Sequence, residues 1–256
     1  MKCVVLSLLI LLMGCSSSLL QGEPRLGKTT YSYVDESGTF SLLRESKLLD
    51  QKIVTRNQMI DKSGSGAKVL EKSVLLSRIG SIKVKNKRLI TIRPEASEYT
   101  VWIEGKKYFS QMRINPFKKM MTLTLSSPEQ KWNGTSEISF PRGKYFCFFN
   151  QIPECLFRNY LLSNSKNADG RKMDFYVIWD NYPYIADLLT AVGSKLFAPA
   201  SVKFDGEYDN LLRYIVEIEN QVILYQFTKS FDLVKVAWIS QGITIAPPGQ
   251  EIAEDE

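Results

Sequence analysis

The chain has 256 residues, with 33 Lys and Arg against 27 Asp and Glu, a formal charge of +6. It contains no histidine, which excludes Ser-His-Asp and Cys-His catalysis, histidine-ligated metals and an imidazole pH sensor. Carboxylate and Ser-Lys mechanisms survive that exclusion, and the length suffices for one large domain or two small ones.

The chain opens Met1-Lys2-Cys3 and runs through Val4 to Met13 with Ser7 as its only polar member, then Gly14-Cys15. A spanning helix needs roughly 20 apolar residues, so this run is too short to remain as an anchor. A charged start, a short apolar stretch and a small residue before a cut match a secretory signal. Leu12-Met13-Gly14-Cys15 resembles the lipobox of a bacterial lipoprotein. That resemblance covers residues 1 to about 18. It implies cleavage before Cys15, a diacylglycerol on the Cys15 sulfur and, in most of the class, acylation of the freed amine. Met13 departs from the small or β-branched residues commonest at its position. Ser16, in place of the aspartate that favours inner-membrane retention, resembles the outer-membrane pattern. The implied protein is anchored in the cell envelope, at the outer membrane facing the periplasm or the surface. Two or three acyl chains hold firmly where one does not.

The expected organisation is a signal peptide over 1–14, a lipid-anchored tether over 15–28, an antiparallel β domain over 29–246 and an acidic disordered tail over 247–256. Cleavage removes Lys2 and no acid, leaving 32 − 27 = +5; without the four acids of Glu251–Glu256 the body is about 32 − 23 = +9. That excess suits anionic headgroups or a polyanionic wall polymer, or simply solubility. An exported protein is not expected to meet nucleic acid.

Along the body, short β-forming runs alternate with turn signals. Thr29–Val34, the turn Asp35-Glu36-Ser37-Gly38 and Thr39–Arg44 read as a hairpin. Leu42, Leu43, Leu48, Leu49 and Ile53 fit a strand or a short helix, and Asp61–Gly66 is a loop. Gly80 reads as a break, Asn86-Lys87 as a tight turn, and Pro94–Ser97 as a separator before Tyr99–Ile103. Glu104-Gly105 is a hairpin turn, Asn115-Pro116 ends a strand, Met120–Leu125 alternates, and Asn133-Gly134 turns into Ser136–Phe140. Pro153–Leu162 reads as a short helix begun by its proline, and Ser163–Gly170 as a polar loop and possible internal boundary. Lys172–Trp179 is a strand, and positions 185, 188, 189 and 192 have helical spacing. Asp205-Gly206 and Glu219–Gln221 are turns among the last strands.

The predicted fold is mainly β: about a dozen antiparallel strands in a meander, forming a curved or partly closed sheet with one to three short helices. An open barrel is one form; a two-sheet sandwich is the alternative. The outline is similar to the open barrel of periplasmic lipoprotein carriers, in architecture only.

With Cys3 lost and Cys15 lipidated, Cys147 and Cys155 remain. In an oxidising compartment they are a plausible disulfide; two buried thiols are the alternative reading, and two cysteines without histidine do not make a metal site. Asp174, Trp179, Asp180, Tyr182, Tyr184 and Asp187 concentrate acids beside aromatics. Such groups hold sugars, and paired carboxylates roughly 5–9.5 Å apart hydrolyse glycosides. The preferred reading is that the rings are core and the acids cap the turn and the next helix, with sugar binding second and hydrolysis last. Ser163-x-x-Lys166 lacks the companion motifs of penicillin-recognising enzymes, and Asn133-Gly134-Thr135 is a sequon of little weight in a bacterial envelope. No cofactor or metal is expected. The reading is a non-enzymatic binding, carrier or structural lipoprotein whose partners are the membrane through Cys15, and envelope proteins, lipid or cell-wall glycan. The alternative is a carboxylate-dependent glycan hydrolase or glycan-binding protein.

Overall fold

Alternating residues along most segments point to opposite faces, so each strand buries one face and leaves the other wet. In the computed structural model, which describes residues 29–35, 38–64, 66–84, 87–143, 145–167, 171–184 and 195–247, these segments join one hydrogen-bonded sheet. Its strands are β1 Thr29–Asp35, β2 Phe40–Leu49, β3 Lys52–Asp61, β4 Lys68–Val84, β5 Lys87–Ile103, β6 Lys106–Asn115, β7 Met120–Ser126 and β8 Gly134–Ser139. They continue as β9 Phe146–Phe148, β10 Met173–Ile178, β11 Phe197–Tyr208, β12 Leu211–Ile218, β13 Gln221–Phe227, β14 Leu233–Trp238 and β15 Ile243–Ala246. Two short helices, α1 Ile152–Arg158 and α2 Leu161–Asn167, lie between β9 and β10.

Strand order follows the chain except at one seam. There β1 pairs with β15, through Val34 opposite Ala246 and Asp35 opposite Ile245. Two meanders, β1–β8 and β9–β15, are thereby fused into one sheet whose edges are β8 and β9. All pairs are antiparallel except β9 with β10. The sheet is mainly β and not closed into a barrel. It is continuous, which answers the expected curved sheet and not the two-sheet sandwich. The strands from its two halves meet in the core. Leu75, Met112, Met121 and Leu123 of the first half pack with Phe148 and Ile178 of the second. At the open seam, Phe140 beyond β8 lies 5.0 Å from the Phe146 ring of β9.

Several expected interruptions are not interruptions. Gly80 lies within β4, opposite Thr91 of β5, beyond the point where the β3 ladder ends at Lys52 and Arg78; the long β5 partner carries the strand past the glycine. Pro94 lies within β5. The ladder slips there, Leu76 facing Ala96 and Ser77 facing Pro94, so Glu95 bulges out where proline has no N–H to donate. Asp205-Gly206 is a bulge inside β11 and not a turn; Gly206 has φ 146°, and the chain reverses later at Asp209-Asn210, both with positive φ. Ser163–Asn167 is helix α2 and not a loop, and the sheet runs on across it, since β9 before it pairs with β10 after it. The Ser165 hydroxyl accepts from the Phe204 N–H at 2.6 Å, tying that helix to β11.

Other local expectations match. Of the two readings open for Leu42, Leu43, Leu48, Leu49 and Ile53, the strand holds: they lie on β2 and β3, with Asp50-Gln51 as the turn between. Glu104-Gly105, both at positive φ, make the two-residue turn between β5 and β6. Pro153 lies in the first turn of α1. The signal peptide, the tether, the turn at Asn86, the helical spacing at 185–192 and the tail from 248 lie outside the described residues.

The sulfurs of Cys147 on β9 and Cys155 on α1 stand at bonding distance, with Cα atoms 5.7 Å apart. A bridge over this short loop stabilises by about 2–3 kcal/mol. The chain from residue 15 on with Cys15 replaced by serine, denatured without reductant, is therefore expected to show no reactive thiol, and its Cys147→Ser/Cys155→Ser variant to lose about that much in urea unfolding. Two titratable thiols in the untreated protein would refute the bond.

Candidate functional site

The first half of the sheet turns an unusually polar face inward. Cross-strand neighbours form one row, Arg44, Asn57, Ser73, Tyr99 and Ser110, running over β2 to β6. Beside it run Ser46, Thr55, Leu75, Ser97 and Met112. All ten are buried. The second half is apolar inside: Ala198, Ala200, Val202, Leu212, Tyr214, Val216, Ile223 and Phe227.

The segment 149–167 lies between the two halves and matches both. Ile152, Leu156, Leu161 and Leu162 enter the apolar cluster. Asn150, Gln151, Glu154 and Asn159 meet the polar face. Arg44 donates to Glu154 at 2.5 Å and to the Asn150 carbonyl at 2.6 Å, and also reaches Asn57 at 3.1 Å. Ser46 donates to the other Glu154 oxygen at 2.8 Å. Gln151 donates to Thr55 and accepts from Ser77. The Asn159 side chain accepts from the Ile92 N–H at 3.2 Å. Burial works against the Arg44 charge, but the adjacent Glu154 carboxylate outweighs it and holds the guanidinium above its ordinary pKa.

Two further acids lie toward the end of the fold where β5 finishes and β6 begins. Asp180 is fully buried and accepts from the Asn150 N–H at 3.0 Å and its side-chain amide at 2.9 Å. Glu71 accepts from the Tyr99 hydroxyl at 2.6 Å. Burial pushes both carboxyls above their ordinary range. For Asp180 the Asn150 hydrogen bonds oppose the rise; for Glu71 the Tyr99 hydrogen bond opposes it and the negative Asp180 adds to it. The Ser97 hydroxyl, the Trp179 indole N–H and the Asn181 side-chain oxygen are buried without a hydrogen-bond partner among the described residues.

The acid-and-aromatic cluster read from the sequence does not form one open face. Asp174 is exposed on β10. Trp179 is buried, its ring 4.4 Å from that of Phe149. Tyr182 is partly buried, and Tyr184 is buried, donating to the Phe109 carbonyl at 2.8 Å and packing edge-on against Tyr108 and Trp132. Burial lifts the Tyr184 phenol to about 12. Asp174 and Asp180 thus do not face each other across a cleft: one is in water and the other is inside. These rings serve as core, and Asp180 fastens the 149–151 turn. Asp187 and Cys15 lie outside the described residues. Among the described residues no group of three or more Cys, Asp or Glu is placed to hold a metal.

Arg44, Glu71, Asn150 and Glu154 were not singled out in the sequence. A signal existed: Arg44-x-Ser46, Thr55-x-Asn57 and Ser73 put polar residues at the inward positions of strands, where apolar ones are expected. What could not be read was that residues 150–154 supply partners to Arg44, Ser46 and Thr55. No family model matches the chain, and neither curated proteins nor solved structures give a match.

Removing one member of a buried pair strands the other charge, at a cost of about 3–5 kcal/mol. Arg44→Met is expected to destabilise by about that much in chemical denaturation, and Arg44→Met/Glu154→Met by distinctly less; equal losses in the two would contradict the coupling.

For Glu71 the sign runs opposite to that of a paired surface acid. Its folded pKa lies above the unfolded value, so the native state binds the proton more tightly. Its contribution is favourable below the unfolded value of about 4.3 and is lost as pH rises through the folded value. Glu71→Gln is therefore expected to be more stable than the parent at pH about 7.5, with the advantage fading toward pH about 4. A Gln variant no more stable at the higher pH would count against a strained carboxylate.

Proposed function

We propose that the chain is a lipid-anchored cell-envelope lipoprotein whose β body is a non-enzymatic binding or structural module. The observation that carries this reading is Leu12-Met13-Gly14-Cys15 after a ten-residue apolar run, a leader too short to span and correctly built to be cut. The acyl chains on Cys15 are the anchor, and the body hangs from a tether ending where β1 begins at Thr29.

The chemistry of the interior supports a binding role over catalysis. Arg44, Glu154, Asp180 and Glu71 are engaged with one another or with Asn150 and Tyr99, so these groups serve the fold first. Ile152, Leu156, Leu161 and Leu162 of α1 and α2 pack into the core of the sheet. That arrangement favours recognition by the rims and outer face, with envelope proteins, lipid headgroups or cell-wall glycan as partner classes.

The decisive experiment is metabolic labelling with a fatty acid in a bacterial host. The parent chain is expected to take up label and fractionate with membranes, and Cys15→Ser to lose the label and appear in the soluble fraction. Continued labelling of the serine variant would overturn the anchor.

A further inference from the structure

Phe117 is 97% exposed, far more than any other large apolar side chain described. It sits on the four-residue turn between β6 and β7, Pro116-Phe117-Lys118-Lys119, which joins Asn115 to its partner Met120. The turn is braced. The Asn115 side-chain oxygen accepts from the N–H groups of both Phe117 and Lys118 at 3.1 Å. Lys119 takes positive φ, and its carbonyl accepts from the Phe140 N–H. An aromatic ring is therefore held out into solvent on a stiff support, with two exposed lysines beside it.

The topology gives this tip a setting. Antiparallel pairing makes β2, β4, β6 and β8 run the same way, and the end at which they finish can be called the lower end. The Phe117 turn is at that end. So are Leu48 and Leu49, exposed at 42% and 45% where β2 finishes. So is exposed Arg142, just beyond β8. β1 runs from the lower end upward, because Thr29 pairs with Ser46 near the finish of β2. The segment from Cys15 therefore reaches the folded body at the same end as Phe117. Three positive charges, Lys118, Lys119 and Arg142, stand against Asp50 of the β2–β3 turn.

We infer that the Phe117 turn at the lower end of the sheet, with Lys118 and Lys119, docks on an anionic bilayer surface. The inference rests on the lipid anchor at Cys15, which brings a bilayer within reach of that end; the 14 residues from Cys15 to Thr29 span at most about 50 Å. An aromatic ring settles at the level of the headgroups, and flanking lysines add attraction to anionic lipid. The exposed leucines of β2 add apolar surface at the same end, four strands away from Phe117. The mode is that of a peripheral element that lies on the membrane and does not cross it.

The test uses the full mature chain carrying Cys15→Ser, so that no acyl chain contributes. It is sedimented with vesicles of phosphatidylcholine containing about a third phosphatidylglycerol, and with phosphatidylcholine alone. Expected are binding to the anionic vesicles that weakens as salt rises, and little to the neutral ones. Phe117→Ser should weaken binding by about tenfold, and Phe117→Trp should restore it. Lys118→Ser/Lys119→Ser should flatten the salt dependence. Phe117 touches no core residue, so circular dichroism melts of these variants should overlay the parent. Failure of the parent to bind anionic vesicles, or full binding by Phe117→Ser, would overturn the inference; a protein partner on this tip would produce the first result. Loss of fatty-acid labelling in the parent protein would instead defeat the anchor while leaving the vesicle result to stand or fall alone.

Discussion

The Arg44–Glu154 pair is the contact on which the rest of this fold depends. A sheet of two meanders joined only at β1 and β15 is an open, bendable surface. Its curvature needs something inside to close upon. Arg44 reaches from β2 to Glu154 on α1 and to the Asn150 carbonyl just before it. Ser46 takes the second carboxylate oxygen. Both charges have thus exchanged water for several directed hydrogen bonds, which is the condition under which a buried pair is tolerated. The pair is worth little as raw attraction; its value is that only one placement of the helix satisfies it.

That constraint explains the division of labour inside the sheet. The second meander offers an apolar wall, on which Leu156, Leu161 and Leu162 could settle in many related positions. The first meander offers a polar wall, which accepts only the register that pairs Gln151 with Thr55 and Ser77, and Asn159 with the Ile92 N–H. Burial of apolar surface supplies most of the driving force, and the polar row supplies the alignment. Asp180 repeats the device from the other side by holding both the N–H and the side-chain amide of Asn150. The Cys147–Cys155 contact fastens the same short helix to β9. The interior is so committed, and the two rims of the sheet differ. One is closed by Tyr108, Trp132 and Tyr184; the other holds the chain's arrival from Cys15, the Phe117 turn and a surplus of lysine and arginine.

Most strands could be found from residue pattern because period-2 alternation and turn dipeptides are local. Glu104-Gly105 requires positive φ whatever surrounds it. The errors have a common cause. Gly80, Pro94 and Gly206 are strand breakers taken singly, yet each lies inside a strand because one adjacent strand carries the ladder past it and, at Pro94 and Gly206, a bulge absorbs the irregularity. Ser163–Asn167 looks like a loop by composition, but packing against β11 makes it a helix. For the cluster from Asp174 to Asp187 the local sequence leaves both core and sugar platform open, because acids beside aromatics are all that it displays. Whether a ring faces water or core is set by the opposite wall, which lies more than a hundred residues away in the case of Arg44 and Glu154.

By itself, the sequence determined a β-rich body and a chemistry without histidine, and its first fifteen residues raise the expectation of a lipoprotein leader. These are properties of short segments and of composition, and no distant residue can alter them. Only the tertiary structure decided that two meanders make a single curved sheet, that its polar inner face belongs to one helical insertion, and that Asp174 and Asp180 part company. It also put the Phe117 turn at the end where the chain arrives. Each of those outcomes depends on strand direction and on partners far apart along the chain, which residue patterns do not encode until the sheet closes around its insertion.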